Sequence, residues 1–132
     1  MMKTSGLVAA AVSFGIFLPA APSSAQSSDD FFESRVRPVL AQRCAECHAG
    51  TRRRGGLQVT SLEALLEGGR SGPAIIPGDP DNSLLIKVVR HELADLEMPE
   101  DGEPLTASEI AGLAEWIRMD ASWPEDAPDV VF

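Results

Sequence analysis

The sequence predicts an all-α domain with long loops, and three observations support this fold class. Apolar residues recur at the three- and four-residue spacing of helices in several segments. No segment shows the clear apolar–polar alternation of a half-buried strand. Glycine and proline concentrate between the helical segments, which predicts loops there.

The first predicted helix leads directly to the two cysteines of the chain. Asp29 and Asp30 are natural N-cap residues. Pro38 lies inside the helical pattern, so we expect a kink or a restart of the helix there. The apolar face consists of Phe32, Val36, Val39 and Leu40.

Two short helices are predicted next, on either side of the turn-rich stretch "GRSGPAIIPGDPD". Residues 61–69, "SLEALLEGG", begin with a serine cap and end in a glycine stop. Asn82 or Ser83 should cap the following segment, "LLIKVVRHEL". One face of that helix would carry Leu84, Leu85, Val88 and His91.

The last predicted helix begins with a capping box formed by Thr106 and Glu109. It cannot continue past Pro124. Its apolar stripe is Ile110, Leu113 and Ile117, with Trp116 beside the stripe and Met119 opposite.

The N-terminus has the features of a secretory signal peptide. Lys3 precedes the 13-residue apolar run "GLVAAAVSFGIFL", and small residues lead to a cleavage expected after Ala25. An uncleaved anchor is the alternative, but a span needs about 20 apolar residues, and Pro19 ends the run. We therefore expect a periplasmic or otherwise exported protein without stable membrane insertion. The predicted organisation is a signal peptide at 1–25, a linker at 26–30, a domain at 31–123 and a tail at 124–132.

The predicted mature chain is one small acidic domain. Removal of residues 1–25 leaves 107 of the 132 residues, and loss of Lys3 changes the net charge from −9 to −10. Such a surface keeps an exported protein soluble or steers a basic partner. Few aromatic residues and no basic stripe argue against a nucleic-acid partner.

The segment "CAECH" contains the only two cysteines, Cys44 and Cys47, followed at once by His48. A disulfide would close a very small loop and stabilise little. A zinc site would need a second ligand pair, and only the distant His91 remains. C-x-x-C-H is the attachment motif of c-type haem, with both thiols on one side of a helical turn and the histidine as proximal iron ligand. One covalent haem is therefore the favoured interpretation, and it would supply the apolar centre that a thin core lacks.

The order of motifs resembles the planctomycete-type cytochrome c domain, a branch of the class I cytochromes c. The resemblance covers residues 31–123 and rests on CxxCH, "GGL", "SGPAIIPGDPDNSLL", "MP", "G-x-x-LT-x-x-E-I" and "WI". It implies a small cytochrome c-like helical domain wrapped around one covalently attached haem. It further implies thioethers at Cys44 and Cys47, proximal ligation by His48 and distal ligation by Met98. The family's "MPP" element reads "MPE" here, with Glu100 replacing the second proline.

The possibilities for the sixth iron position are Met98, His91, an open site and, more weakly, Met119. Met98 precedes a proline, which favours an extended loop from which a thioether can reach iron. His91 ends an apolar helical face, although it could instead satisfy the last helix carbonyls. An open or water-bound site is the third possibility, and Met119 on the polar side of its helix is a weak candidate.

Arg52, Arg53 and Arg54 either pair with haem propionates or form a solvated loop.

Ligation on both sides of the iron leaves one-electron exchange as the chemistry. The leading function is an exported mono-haem electron carrier with redox partner proteins, not an enzyme. The alternatives are a haem-bearing module of a larger exported multidomain enzyme and a gas or peroxide binder with an open site. No base, nucleophile or metal cluster outside the haem motif supports hydrolysis or group transfer.

Overall fold

The computed structural model describes residues 6–20 and 27–130, so the cleavage expected after Ala25 lies outside the described residues. Residues 6–20 form no helix or strand, and their large apolar side chains are exposed. In the two described ranges, no helix is long and apolar enough to cross a bilayer.

A helical run from residue 28 to residue 48 begins the folded part. The side chain of Ser27, rather than of Asp29 or Asp30, caps its first turn by accepting from the N–H of Asp30 at 3.1 Å. The run comprises α1 (Ser28–Phe31), a π-helical turn (Phe32–Val36), α2 (Arg37–Val39), a second π turn (Leu40–Cys44) and α3 (Ala45–His48).

The chain stays helical through Pro38 because the backbone widens on both sides of it. Proline has no N–H to donate to the preceding turn. The N–H of Arg37 donates to Phe32 and that of Ala45 donates to Leu40, each five residues back as in a π turn. The expected interruption at Pro38 is therefore a pair of π turns.

The later elements are short and separated by loops. Ser61 caps α4, which ends at Gly68 with φ 75°, as the sequence predicts. The Thr106–Glu109 capping box at the start of the longest helix is also confirmed. These elements are β1 (Arg52–Arg53), a 3₁₀ turn (Arg54–Gly56), α4 (Leu62–Glu67), α5 (Leu84–Val89) and α6 (Ala107–Arg118).

The prediction of an all-α, cytochrome c-like helical domain wrapped around a haem is wrong as a fold class. The chain is only about 40% helical, with short helices and little sheet. Gly68 ends α4, and α5 is only six residues long. Backbone hydrogen bonds between loops and helices connect the elements. Ala74, for example, donates to Leu65 at 2.9 Å and accepts from Leu85 at 2.8 Å. Ala74 and Ile75 are buried although they belong to no helix or strand.

The core centres on an aromatic cluster between the first helical run and α6. The ring centroids of Phe32 and Trp123 lie 4.5 Å apart, and those of Phe32 and Trp116 lie 5.9 Å apart. Trp116 is fully buried and its indole N–H donates to the carbonyl of Ser122 at 2.8 Å. Such tilted ring pairs add to the stabilisation from apolar burial.

The segment beyond Pro124 also packs on the domain. Val130 is buried and its N–H donates to the carbonyl of Thr60 at 3.2 Å. Arg37 donates to the carbonyl of Pro128 at 2.9 Å. The residues expected to form a tail thus contribute to the core.

A glycine pair after α4 offers a test of this loop packing. A Cβ at Gly68 would overlap the carbonyl of Gly72 and crowd Pro73, whereas a Cβ at Gly72 would meet no neighbour. Both residues have positive φ, so alanine at either position costs about 1–2 kcal/mol of backbone strain. We expect Gly68→Ala to lower the free energy of unfolding by about 1–3 kcal/mol more than Gly72→Ala, because only Gly68→Ala adds overpacking. Urea unfolding of the mature protein measures both, and equal losses would contradict the packing.

Candidate functional site

One cavity of about 320 Å³ brings together residues that are distant in the sequence. Its volume is at the lower end of the range of about 300–1,000 Å³ for small-molecule sites. The end of the first helical run forms one side, and α5 together with the loops before α4, after α4 and before α6 forms the others. Apolar side chains make up most of its surface, among them Leu57, Val59, Leu85, Val88 and Leu105.

Cys44 and Cys47 both line this cavity as free thiols. They lie at the second π turn and in α3, so one helical surface presents both sulfur atoms. Burial raises the pKa of the Cys44 thiol to about 12, with a smaller opposing effect of Arg43. Cys44 is therefore a protonated thiol at neutral pH. No group of three or more His, Cys, Asp or Glu side chains in residues 6–20 and 27–130 could hold a metal ion.

His48 is the last residue of α3 and also lines the cavity. Its carbonyl accepts from the N–H of Val59 at 2.9 Å, which fixes the chain as it leaves the helix. Its Nδ1 atom is buried and has no hydrogen-bond partner. An unsatisfied buried polar atom costs about 1–3 kcal/mol. The imidazole of His48 thus has a ring nitrogen that binds no other described residue, which fits a histidine that binds a ligand.

Met98 reaches the same cavity from the loop after α5. Its N–H donates to the carbonyl of Val88 at 3.0 Å, and the Met98–Pro99 peptide is cis. The Met98 side chain is partly buried and packs against the core. The cavity therefore combines two thiols, an imidazole and a thioether.

His91 and Met119 lie elsewhere. The prediction that His91 continues the apolar face of a helix is wrong, because α5 ends at Val89 and His91 has φ 56°. His91 is not among the residues that line the cavity, and its Nε2 lies 3.3 Å from the carbonyl oxygen of Met98. Met119 follows α6 and is 37% exposed.

Arg52 and Arg54 line the cavity, whereas Arg53 does not. The guanidinium of Arg54 lies 3.4 Å from a carboxylate oxygen of Glu100 and 3.4 Å from one of Asp101. Arg54 thus joins two rims of the cavity through exposed ion pairs, and its charge is largely balanced by these carboxylates.

Arg43 is a site residue that the sequence analysis missed. It lines the cavity beside Cys44 and donates to the carbonyls of Glu103 and Pro104, the latter at 3.2 Å. Its guanidinium also lies 3.9 Å from Glu109. Arg43 therefore fastens the loop before α6 to the helix that carries the cysteines. Its position directly before the motif was the only sequence signal.

Comparison with protein families finds one match within this region. Residues 44–102 match the family described as Planctomycete cytochrome C. The matched part includes CxxCH and Met98 and leaves most of the first helical run and α6 outside. No curated protein and no solved structure shows a significant match.

Arg43 and Arg54 form a matched pair for testing how the cavity wall is held. We expect Arg43→Ala to lower the free energy of unfolding by about 1–3 kcal/mol, because two hydrogen bonds from a charged side chain that is only 26% exposed are lost. Arg54→Ala should cost less than about 1 kcal/mol, since its ion pairs are exposed and screened. Urea unfolding of each variant at the same salt concentration gives both values. A larger loss for Arg54→Ala would contradict the assigned roles.

Proposed function

We propose that the protein is an exported mono-haem c-type cytochrome that carries single electrons, on the basis of the match of residues 44–102 to the planctomycete cytochrome c family. The observation that carries the proposal is the convergence of Cys44, Cys47, His48 and Met98 on one cavity with mostly apolar walls. The family match indicates a haem-binding cytochrome domain, and the proposal extends it to the attachment, the ligands and the role.

Each of the four side chains has a distinct role in this proposal. Cys44 and Cys47 would hold the haem through thioether bonds, His48 would ligate its iron as the proximal ligand, and Met98 would be the distal ligand. Haem iron supplies reversible one-electron exchange between its ferric and ferrous states. The partnerless Nδ1 of His48 and the protonated thiol of Cys44 are compatible with these roles.

The walls of the cavity are mostly apolar. Leu57, Val59 and Leu85 contribute apolar surface from three different parts of the chain. A low-dielectric shell disfavours the additional charge of ferric iron and so raises the reduction potential. With protein ligands on both sides of the iron, no coordination position remains for a substrate. A carrier of electrons, rather than a catalyst, is the function that suits this donor set.

Export is supported by the apolar segment near the N-terminus. Leu7, Phe14 and Phe17 are each more than 90% exposed, so this segment adds nothing to the core. A secretory signal at residues 1–25 accounts for an apolar run that the domain does not use. The proposed location is therefore periplasmic or otherwise exported, and the proposed partners are other redox proteins. The net charge of −10 expected after removal of residues 1–25 (−9 less the charge of Lys3) favours partners with a basic surface.

Covalent attachment can be tested by extraction. After expression with a haem-attachment system, we expect acid–acetone treatment to leave haem on the polypeptide, because thioethers survive acid. The variant with both Cys44→Ser and Cys47→Ser should release any haem it binds, and each single variant should retain haem through one bond. Intact mass and the pyridine haemochrome spectrum measure the result. Complete release of haem from the wild-type protein would refute c-type attachment.

The distal ligand can be tested with the two methionines of the mature chain. A thioether bound to ferric haem gives a weak charge-transfer band in the far red. We expect Met98→Ala to abolish this band, lower the reduction potential and open the iron to cyanide. Met119→Ala is the matched control and should change none of the three, since Met119 lies outside the cavity. An unchanged band in Met98→Ala would exclude Met98 as the ligand.

A further inference from the structure

The backbone N–H and the backbone carbonyl of Met98 both contact residues at or just after the end of α5. The N–H of Met98 donates to the carbonyl of Val88 at 3.0 Å. The carbonyl oxygen of Met98 lies 3.3 Å from Nε2 of His91. The carbonyl of Val88 also accepts from the N–H of His91 at 3.3 Å. This one carbonyl therefore binds both His91, where the loop after α5 begins, and Met98, which lies further along the same loop.

The backbone of His91 directs its side chain toward this loop. His91 has φ 56°, the left-handed region in which glycine is unstrained and most other residues are not. Glu92 donates to Lys87 at 2.9 Å, so the turn that places His91 is hydrogen-bonded on both sides. A strained backbone here gives the imidazole its position beside Met98 instead of a place on the helix face.

The surroundings of the imidazole fit a donor to Met98 better than an iron ligand. His91 is outside the set of residues that line the cavity, while Met98, Val88 and Leu96 belong to it. The second ring nitrogen, Nδ1, lies 4.0 Å from a carboxylate oxygen of Glu97. An N–H at Nε2 lets the ring donate to the carbonyl of Met98, whose next residue, Pro99, offers no N–H of its own.

We propose that His91 is the positioning residue of Met98. The hydrogen bond from Nε2 to the Met98 carbonyl, together with the Val88 contact, holds the loop so that the Met98 thioether stays in the cavity. The inference rests on the proposed function, because it takes Met98 as the distal ligand. His91 then acts on the iron only through Met98.

The test uses variants that separate the imidazole from the backbone strain. His91→Gly removes the side chain and relieves the positive φ, and His91→Gln keeps an N–H donor on a side chain of similar reach. Glu97→Gln is a control that removes the nearby charge without touching Met98. Each is prepared as the haem-loaded mature protein and compared with wild type for its far-red band, its affinity for cyanide in the ferric state and its urea midpoint.

We expect His91→Gly to weaken the far-red band and to raise the affinity for cyanide about tenfold. This change corresponds to a difference of about 1.4 kcal/mol in the free energy of cyanide binding. The urea midpoint should stay near that of wild type because relief of strain offsets the lost hydrogen bond. His91→Gln should restore most of the band and the low cyanide affinity, and Glu97→Gln should resemble wild type.

Two contrary results are distinguishable. Wild-type band and cyanide affinity in His91→Gly, or failure of His91→Gln to restore them, would overturn the positioning role while Met98 remains the ligand. A wild-type protein without the far-red band, in which His91→Gly rather than Met98→Ala opens the iron, would overturn both this inference and the Met98 assignment.

Discussion

The helical run from residue 28 to residue 48 serves two parts of the molecule at once, and most of the structure depends on its continuity. Its first half buries Phe32 and Val36 against α6, and its last turns present Cys44 and His48 to the cavity. A break at Pro38 would separate the core from the site. The two π turns avoid the break because they shift the hydrogen-bonding pattern around the missing N–H. The position of the CxxCH motif is thus set by packing that lies a dozen residues away.

The sequence predicted the caps of α4 and α6 better than the fold class. Ser61, Thr106 and Glu109 act through neighbours three residues away, so a local pattern is sufficient to identify them. Ala74 and Ile75 are different, because they are buried outside any helix and Ala74 is held by hydrogen bonds to Leu65 and Leu85. Irregular segments of this kind have no periodicity to detect. Counting helical patterns therefore overstated the helical character of a domain in which loops form much of the core.

The same distinction holds within the site. The spacing of Cys44, Cys47 and His48 is local, so the sequence predicted that they face one ligand, and Met98 was recognised through its motif. The place of His91 was not predictable, because the helix ends two residues earlier than its apolar pattern suggests. Arg43 was missed for a related reason, since its partners lie some sixty residues away in the loop before α6. Long-range contacts of polar side chains leave little trace in one sequence.

Glu100 stands where the resemblance described above implies a second proline, and it has a partner on the opposite rim of the cavity. A proline would stiffen the loop after Met98 by fixing its backbone. Glu100 gives up that restriction but, with Asp101, lies 3.4 Å from Arg54, so an ion pair spans the two rims instead. Exposed pairs of this kind contribute little stability and are screened by salt. The charge of Arg54 offsets two carboxylates, which would favour ferric iron if the proposed haem is bound here. In the proposed cytochrome, Arg54 would therefore reduce the effect of these two carboxylates on the reduction potential.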